Sequence, residues 1–333
     1  MTITNPLRCS KSVMVSNGTN ITLLDTGNYP SYSNFLNQTW TWSGSGAAAN
    51  WTNTSATLVN SNGPLPGRIN QSMAYDGYNV MLYGGQTASS TSGVYQDTWV
   101  WNGTVWTQVG GIGFALNAPY GRYNAEAAFL AGSGSNKSLL FGGEEVGQLL
   151  NETWLWTGTA TPATTGTWTQ VAVPNGTGPA GRTNHCLAGS TTAPGTVLLF
   201  GGQGTNSQFN DTWTYTAAAG WTQIFPTTSP SIRSGASMCY DVANSQWVMF
   251  GGSNEYNFLV ETWVYKAGVW TQVSVPNGTG PSGRLFAQMA YDVTNSQSIL
   301  YGGITATAQY PSNQTWTLSG TGTALTWTLL GGN

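Results

Sequence analysis

The stretch NVMLYGGQTASSTSGVYQDTWVWNGTVWTQV, residues 79–109, decides the fold. It opens on a short apolar run, 80–83, bounded by turn signals, the length of a buried strand. Gly84-Gly85 ends that run. Glycine has no Cβ, so backbone can approach backbone there and φ can turn positive. A polar loop follows, and Thr98-Trp99-Val100-Trp101 then alternates as a strand does. Trp106-Thr107-Gln108-Val109 makes a further strand. Upstream, 71–75 makes the first one, ended by Asp76-Gly77, where an Asp side chain can bond the backbone two residues on. The stretch and its upstream strand therefore predict four short antiparallel strands and no helix.

The unit recurs along the chain. An aromatic followed by Gly-Gly stands at Tyr83, Phe141, Phe200, Phe250 and Tyr301. A Thr-Trp pair follows each, at Trp99, Trp154, Trp213, Trp263 and Trp316. A Trp-Thr pair comes next, at Trp106, Trp168, Trp221, Trp270 and Trp327. An arginine precedes each unit, at Arg68, Arg122, Arg182, Arg233 and Arg284. A sixth, degenerate copy begins at Arg8, with Trp40 and Trp51 in the two tryptophan columns and Leu24-Asp25-Thr26 where the double glycine should be. The spacing from Thr26 to Trp40 equals that from Gly85 to Trp99, so the alignment holds without the glycines.

This unit resembles the kelch repeat: a double glycine after an apolar strand, a spaced aromatic, then tryptophan. The resemblance runs from Arg8 to Leu330. It implies an all-β chain, a six-bladed β-propeller of kelch type with four antiparallel strands per blade. The whole chain, 1–333, is expected to be one propeller, with blades near 1–60, 61–114, 115–174, 175–226, 227–276 and 277–333. A blade alone cannot bury both faces, so neighbours must stack and the ring must close. The chain starts on an inner strand and ends on an outer one. No segment is left to lend a strand across the seam, unless 1–4 does so, and closure by face packing is expected.

Composition bounds the function. Lys and Arg number 9 and Asp and Glu 12 in 333 residues, a net charge of −3 without any basic or acidic block. Tracking a phosphate backbone needs clustered Lys and Arg, so nucleic acid is not an expected partner. No run of about 18 apolar residues occurs, so no membrane insertion is expected. The N-terminus lacks the pattern of a signal peptide. Cys9, Cys186 and Cys239 are expected as buried free thiols. No cofactor is expected.

The six arginines share one repeat position. An open ring of guanidinium groups could hold a carboxylate ligand. However, the residues before Thr-Trp are Gln38, Asp97, Glu152, Asp211, Glu261 and Gln314. A repeated Arg–carboxylate bond in blades 2 to 5 explains both columns, because partly buried charges are paired. Blades 1 and 6 lack the acid, which leaves Arg8 and Arg284 as expected free donors. Fifteen tryptophans fall in repeat columns and are expected to pack; Trp247 stands outside them.

The loops after the double glycine vary most. In kelch proteins they share a face with the segments leading to each arginine, and that face takes the partner. Function favours loops on a rigid scaffold. Tyr29, Tyr32 and Tyr256 lie near loop centres, and Phe114 and Tyr120 join them before Arg122. With Arg8 and Arg284 they form the expected binding set, for a protein or glycan partner. The apolar residue four before each Trp, such as Tyr95 or Phe209, is regular enough to be structural. Catalysis is poorly supplied: His185 is the single histidine, and Glu144, Glu145 and Glu255 lie on loops without metal-ligand spacing. His185 and Cys186 are adjacent on a strand and point to opposite faces. The expectation is therefore not an enzyme but a binding or structural propeller facing the exterior. A phage virion component fits first, as capsid decoration, spike or fibre and receptor-binding subunit in contact with other virion proteins. A secreted or cell-surface adhesin is the alternative, and a sugar-active enzyme comes last.

Overall fold

The computed structural model describes residues 5–6, 12–25, 37–43, 50–55, 65–87, 93–111, 117–132, 135–160, 165–192, 195–306 and 311–332. Six four-stranded antiparallel sheets account for the described strands, apart from two short two-stranded ribbons. Their inner strands are Val13–Ser16, Ser72–Tyr75, Glu126–Leu130, Cys186–Gly189, Ser234–Asp241 and Gln288–Asp292. Each inner strand touches the next, and the sixth touches the first, so the sheets stand as blades around a central channel. Strands expected at 80–83 and 98–101 form as Val80–Tyr83 and Thr98–Trp101.

The core is divided. Among the described residues, six buried apolar clusters form, and each lies between two neighbouring blades. One example joins Leu139, Phe141 and Leu155 of blade 3 to Leu199, Trp213 and Trp221 of blade 4. The cluster of Met14, Leu23, Trp42 and Trp51 with Ala290, Ile299 and Tyr301 unites the first blade with the last.

The tryptophan columns explain how blades recognise each other. Each outer indole donates to the threonine hydroxyl of the preceding blade's Thr-Trp pair. Trp106 reaches Thr39 at 2.8 Å, Trp168 reaches Thr98 at 2.9 Å and Trp221 reaches Thr153 at 2.8 Å. Trp270 reaches Thr212 and Trp327 reaches Thr262, both at 2.9 Å. Trp51 completes the circle on Thr315 at 3.0 Å. A buried indole N–H needs such a partner. The other column works inside the blade: Trp99, Trp154, Trp213 and Trp263 donate to the acid two residues before them, and Trp40 and Trp316 to a glutamine.

Among the described residues, face packing closes the seam between blades 1 and 6; residues 1–4, the other candidate, lie outside them. Among the described residues, no strand passes between blades 1 and 6. Besides Trp51, Trp42 donates across it to Asp292 at 3.1 Å, and the Thr315 hydroxyl donates to Asn5 at 2.8 Å.

Candidate functional site

Chain direction gives the ring two unlike faces. One holds the short turns after inner strands. The other, the loop face, holds the double glycines, the variable loops and the segments leading to each arginine. Its framework is the arginine column. Arg68, Arg122, Arg182 and Arg233 have buried guanidinium groups paired with Asp97, Glu152, Asp211 and Glu261, the last three pairs at 2.6 Å. Each also donates to the carbonyl of its blade's first double-glycine residue, as Arg182 does to Gly201 at 2.8 Å. Burial pushes the pKa of Glu152 and Glu261 up, but bonds from arginine and tryptophan outweigh it and leave both below the usual carboxylate range. Tyr95 and Phe209 lie under Arg68 and Arg182 with the guanidinium carbon about 4 Å from the ring centre, which accounts for their regular spacing.

Arg284 departs from expectation. It is buried, and its donors are taken by Ser282, Gly302 and Gln314. A neutral amide replaces the acid in blade 6, and burial lowers the arginine to about 10. It is therefore not a free donor. Arg8 lies outside the described residues, as do Tyr29, Tyr32 and Phe114.

The double glycine joins neighbours on this face. Gly84 has φ of +68°, and a Cβ on it would stand 2.5 Å from the carbonyl oxygen of Arg122 in the next blade. The N–H of Gly85 donates to that same oxygen at 2.9 Å.

One column escaped the sequence reading. Two residues after each of the five described arginines stand Asn70, Asn124, Asn184, Gly235 and Phe286, all left-handed with φ between +53° and +64°. From Asn124 onward, the N–H of each donates to the carbonyl of the one before it, from Asn124 on Asn70 at 2.9 Å to Phe286 on Gly235 at 2.8 Å. These backbone hydrogen bonds form a collar along the channel mouth from blade 2 to blade 6; the matching position of blade 1 lies outside the described residues. A left-handed phenylalanine is costly, and the Phe286 ring lies over Gly235, where a Cβ would come within 3.0 Å of it. Three asparagines and a glycine, the residues most tolerant of this conformation, were the available signal.

Outside the collar, the loop face is apolar in places. Among the described residues, the five most exposed large apolar side chains, Tyr256, Phe225, Val146, Tyr120 and Val260, all belong to it. Tyr256, 85% exposed, rides on a turn whose Asn254 side chain accepts from the N–H groups of Tyr256 and Asn257. Tyr120 is 62% exposed while its carbonyl is pinned by Arg122. The two are not brought together: Tyr256, Val260 and Phe225 belong to blade 5 and the segment leading to it, Tyr120 and Val146 to blade 3 and its approach.

His185 is buried edge-on to Phe141 at 5.4 Å and makes no hydrogen bond among the described residues. Burial, then Arg182, holds it well below the usual histidine range, so it is neutral. Cys186 turns the other way and donates to the Ala236 carbonyl at 3.3 Å, so the two form no dyad. Cys186 and Cys239 are free, buried thiols; Cys9 lies outside the described residues. Trp247 is a packing variant, donating to the Ala188 carbonyl at 2.9 Å between two tyrosines.

A family profile described as the KLHDC2/KLHL20/DRC7 Kelch-repeats domain matches residues 106–303, more than half the chain. No curated protein sequence matches. Among solved structures, one titled "Structure of YjhT" superposes with a TM-score of 0.71 at 12% identity, covering 97% of this chain and 98% of that one. At that identity the likeness concerns the fold.

Proposed function

The chain belongs to the kelch-repeat β-propeller family, and on that premise we propose that it is a non-catalytic binding module that works through its loop face. The carrying observation is the placement of exposed apolar side chains. Single exposed apolar residues are ordinary, yet the five most exposed among the described residues all share the face that carries the variable loops. The five described arginines beneath are held by carboxylates or by neutral oxygens of the blade framework, so recognition falls to Tyr256, Phe225 and Tyr120 together with the loop amides and hydroxyls. Tyrosine suits this role because it offers a large amphipathic surface at small entropic cost. The partner is a protein or a glycan.

The working environment is the exterior, and the setting is a phage virion, as a decoration, spike or fibre subunit. Charged residues make up 6% of the chain, while Gly, Thr, Asn and Trp abound, a composition suited to a surface that folds first and faces the medium later. Mass spectrometry of purified particles tests the setting: the protein should co-purify with the capsid, and its absence from intact particles rejects the virion reading. Binding to host cells tests the face. Tyr256→Ala combined with Phe225→Ala should weaken attachment about tenfold or more without changing the melting temperature. Attachment unchanged in that variant rejects the loop face.

A further inference from the structure

The opposite end of the channel carries a second, unlike site. A vestibule of about 240 Å³ opens among the short turns, walled by Met14, Met73, Met238, Met289, Leu187 and Phe129. A smaller chamber of about 70 Å³ lies beside it in the channel. The same four methionines line both spaces, so they form a thioether collar between them. Beyond the collar the wall turns polar, with Glu126, Ser237, His185 and Gln288. Glu126 is the single acid lining the chamber, and its carboxyl has no hydrogen bond or ion pair among the described residues. Half-buried on a channel wall, it faces a confined space rather than bulk water.

An unpaired carboxylate in such a place is costly unless a cation meets it. The neutral His185 supplies none. Burial raises the carboxyl to about 8, as expected of an acid without a partner. Thioethers are poor ligands for hard ions, which prefer several oxygens. They are adaptable apolar walls, well suited to an aliphatic chain. The polarity of the channel thus changes along its axis in the order of an amphiphile.

We propose that this end of the channel binds a small primary alkylamine, with its chain in the methionine vestibule and its ammonium on Glu126. The vestibule is near the lower end of ligand-pocket sizes, which are about 300–1,000 Å³, so the ligand is small. This site lies on the face away from the variable loops and stands apart from the binding role proposed for them.

Methionine-methyl NMR of the intact protein with n-hexylamine tests this. The protein has seven methionines, and Met81 and Met249 are fully buried away from the channel wall, so they serve as internal references. The methyls of Met14, Met73, Met238 and Met289 should shift saturably, with Met81 and Met249 still. Glu126→Gln, which keeps the shape of the side chain, should weaken hexylamine about tenfold or more, the strength of one charged hydrogen bond. Hexanol should bind more weakly and equally to both proteins, and hexanoate should not bind. Three results overturn the proposal: no methyl shift at millimolar amine, equal hexylamine affinity in Glu126→Gln, or the same shifts from sodium or magnesium chloride alone.

Discussion

At the scale of single residues, sparse charge made the pairing legible. Six arginines at one repeat position and four acids at another leave few other partners. The structure joins Arg182 to Asp211 with two bonds, at 2.6 and 2.8 Å, and buries the guanidinium fully. Asp211→Ala strands that cation and should cost about 3–5 kcal/mol in denaturant unfolding. Asp211→Asn should cost clearly less, because blade 6 already holds Arg284 with the amide of Gln314 at 3.0 Å. Equal losses in the two variants would show that the charge, not the hydrogen bond, is what Arg182 needs. Glu126 was not legible, since it belongs to no charged column and its exposure to the channel depends on the closed ring. Its carboxyl is raised from 4.5 to about 8 by burial. The folded state therefore holds this proton more tightly than the unfolded state. Its stabilisation is complete below about pH 4.5 and is lost as pH rises towards 8. Relative to wild type, Glu126→Gln should gain stability across that window and keep the gain above it, as measured by urea midpoints from pH 4 to 9.

At the scale of elements, the second and third strands of blade 2, Val80–Tyr83 and Thr98–Trp101, were legible to the residue because the double glycine and the tryptophans punctuate them. The left-handed collar was not, since Asn70, Asn124, Asn184, Gly235 and Phe286 share a conformation rather than a residue type. What unites them is a backbone bond between neighbouring blades, which no single repeat displays. The double glycine offers a sharper test of the same inter-blade contact. Gly84 and Gly103 both have positive φ, at +68° and +101°. A Cβ at Gly103 meets nothing within 4 Å, whereas at Gly84 it meets the Arg122 carbonyl at 2.5 Å. Gly103→Ala should cost about 1–2 kcal/mol, the conformational penalty alone. Gly84→Ala adds a backbone collision and should cost at least about 2 kcal/mol more. Thermal melts of the two variants make the comparison; equal costs would mean that the blades can shift apart freely.

For the whole molecule, the described part of the seam carries the same apolar cluster and tryptophan-to-threonine bond as the other five interfaces; residues 1–4, the alternative means of closure, lie outside the described residues. The ends of the described chain meet there. Asn5 accepts from the Thr315 hydroxyl, and Gly331 pairs across the sheet with Thr315. A circular permutant that joins the native ends by a short Gly-Ser linker and opens between the exposed Thr227 and Thr228 should therefore fold. Its near-ultraviolet circular dichroism should match the parent and its melting temperature should stay within a few degrees. A molten or aggregated permutant would make the native seam special. The tryptophan-to-threonine bonds also have a direction, in five of the six cases back to the blade already made. During synthesis each emerging blade can seal the one before it, as a zip closes behind its slider. Only Trp51 must wait, because its acceptor lies 264 residues further along. A ribosome that stalls before Thr315 releases a horseshoe with two adhesive flanks, and such a fragment is prone to cling to its own kind.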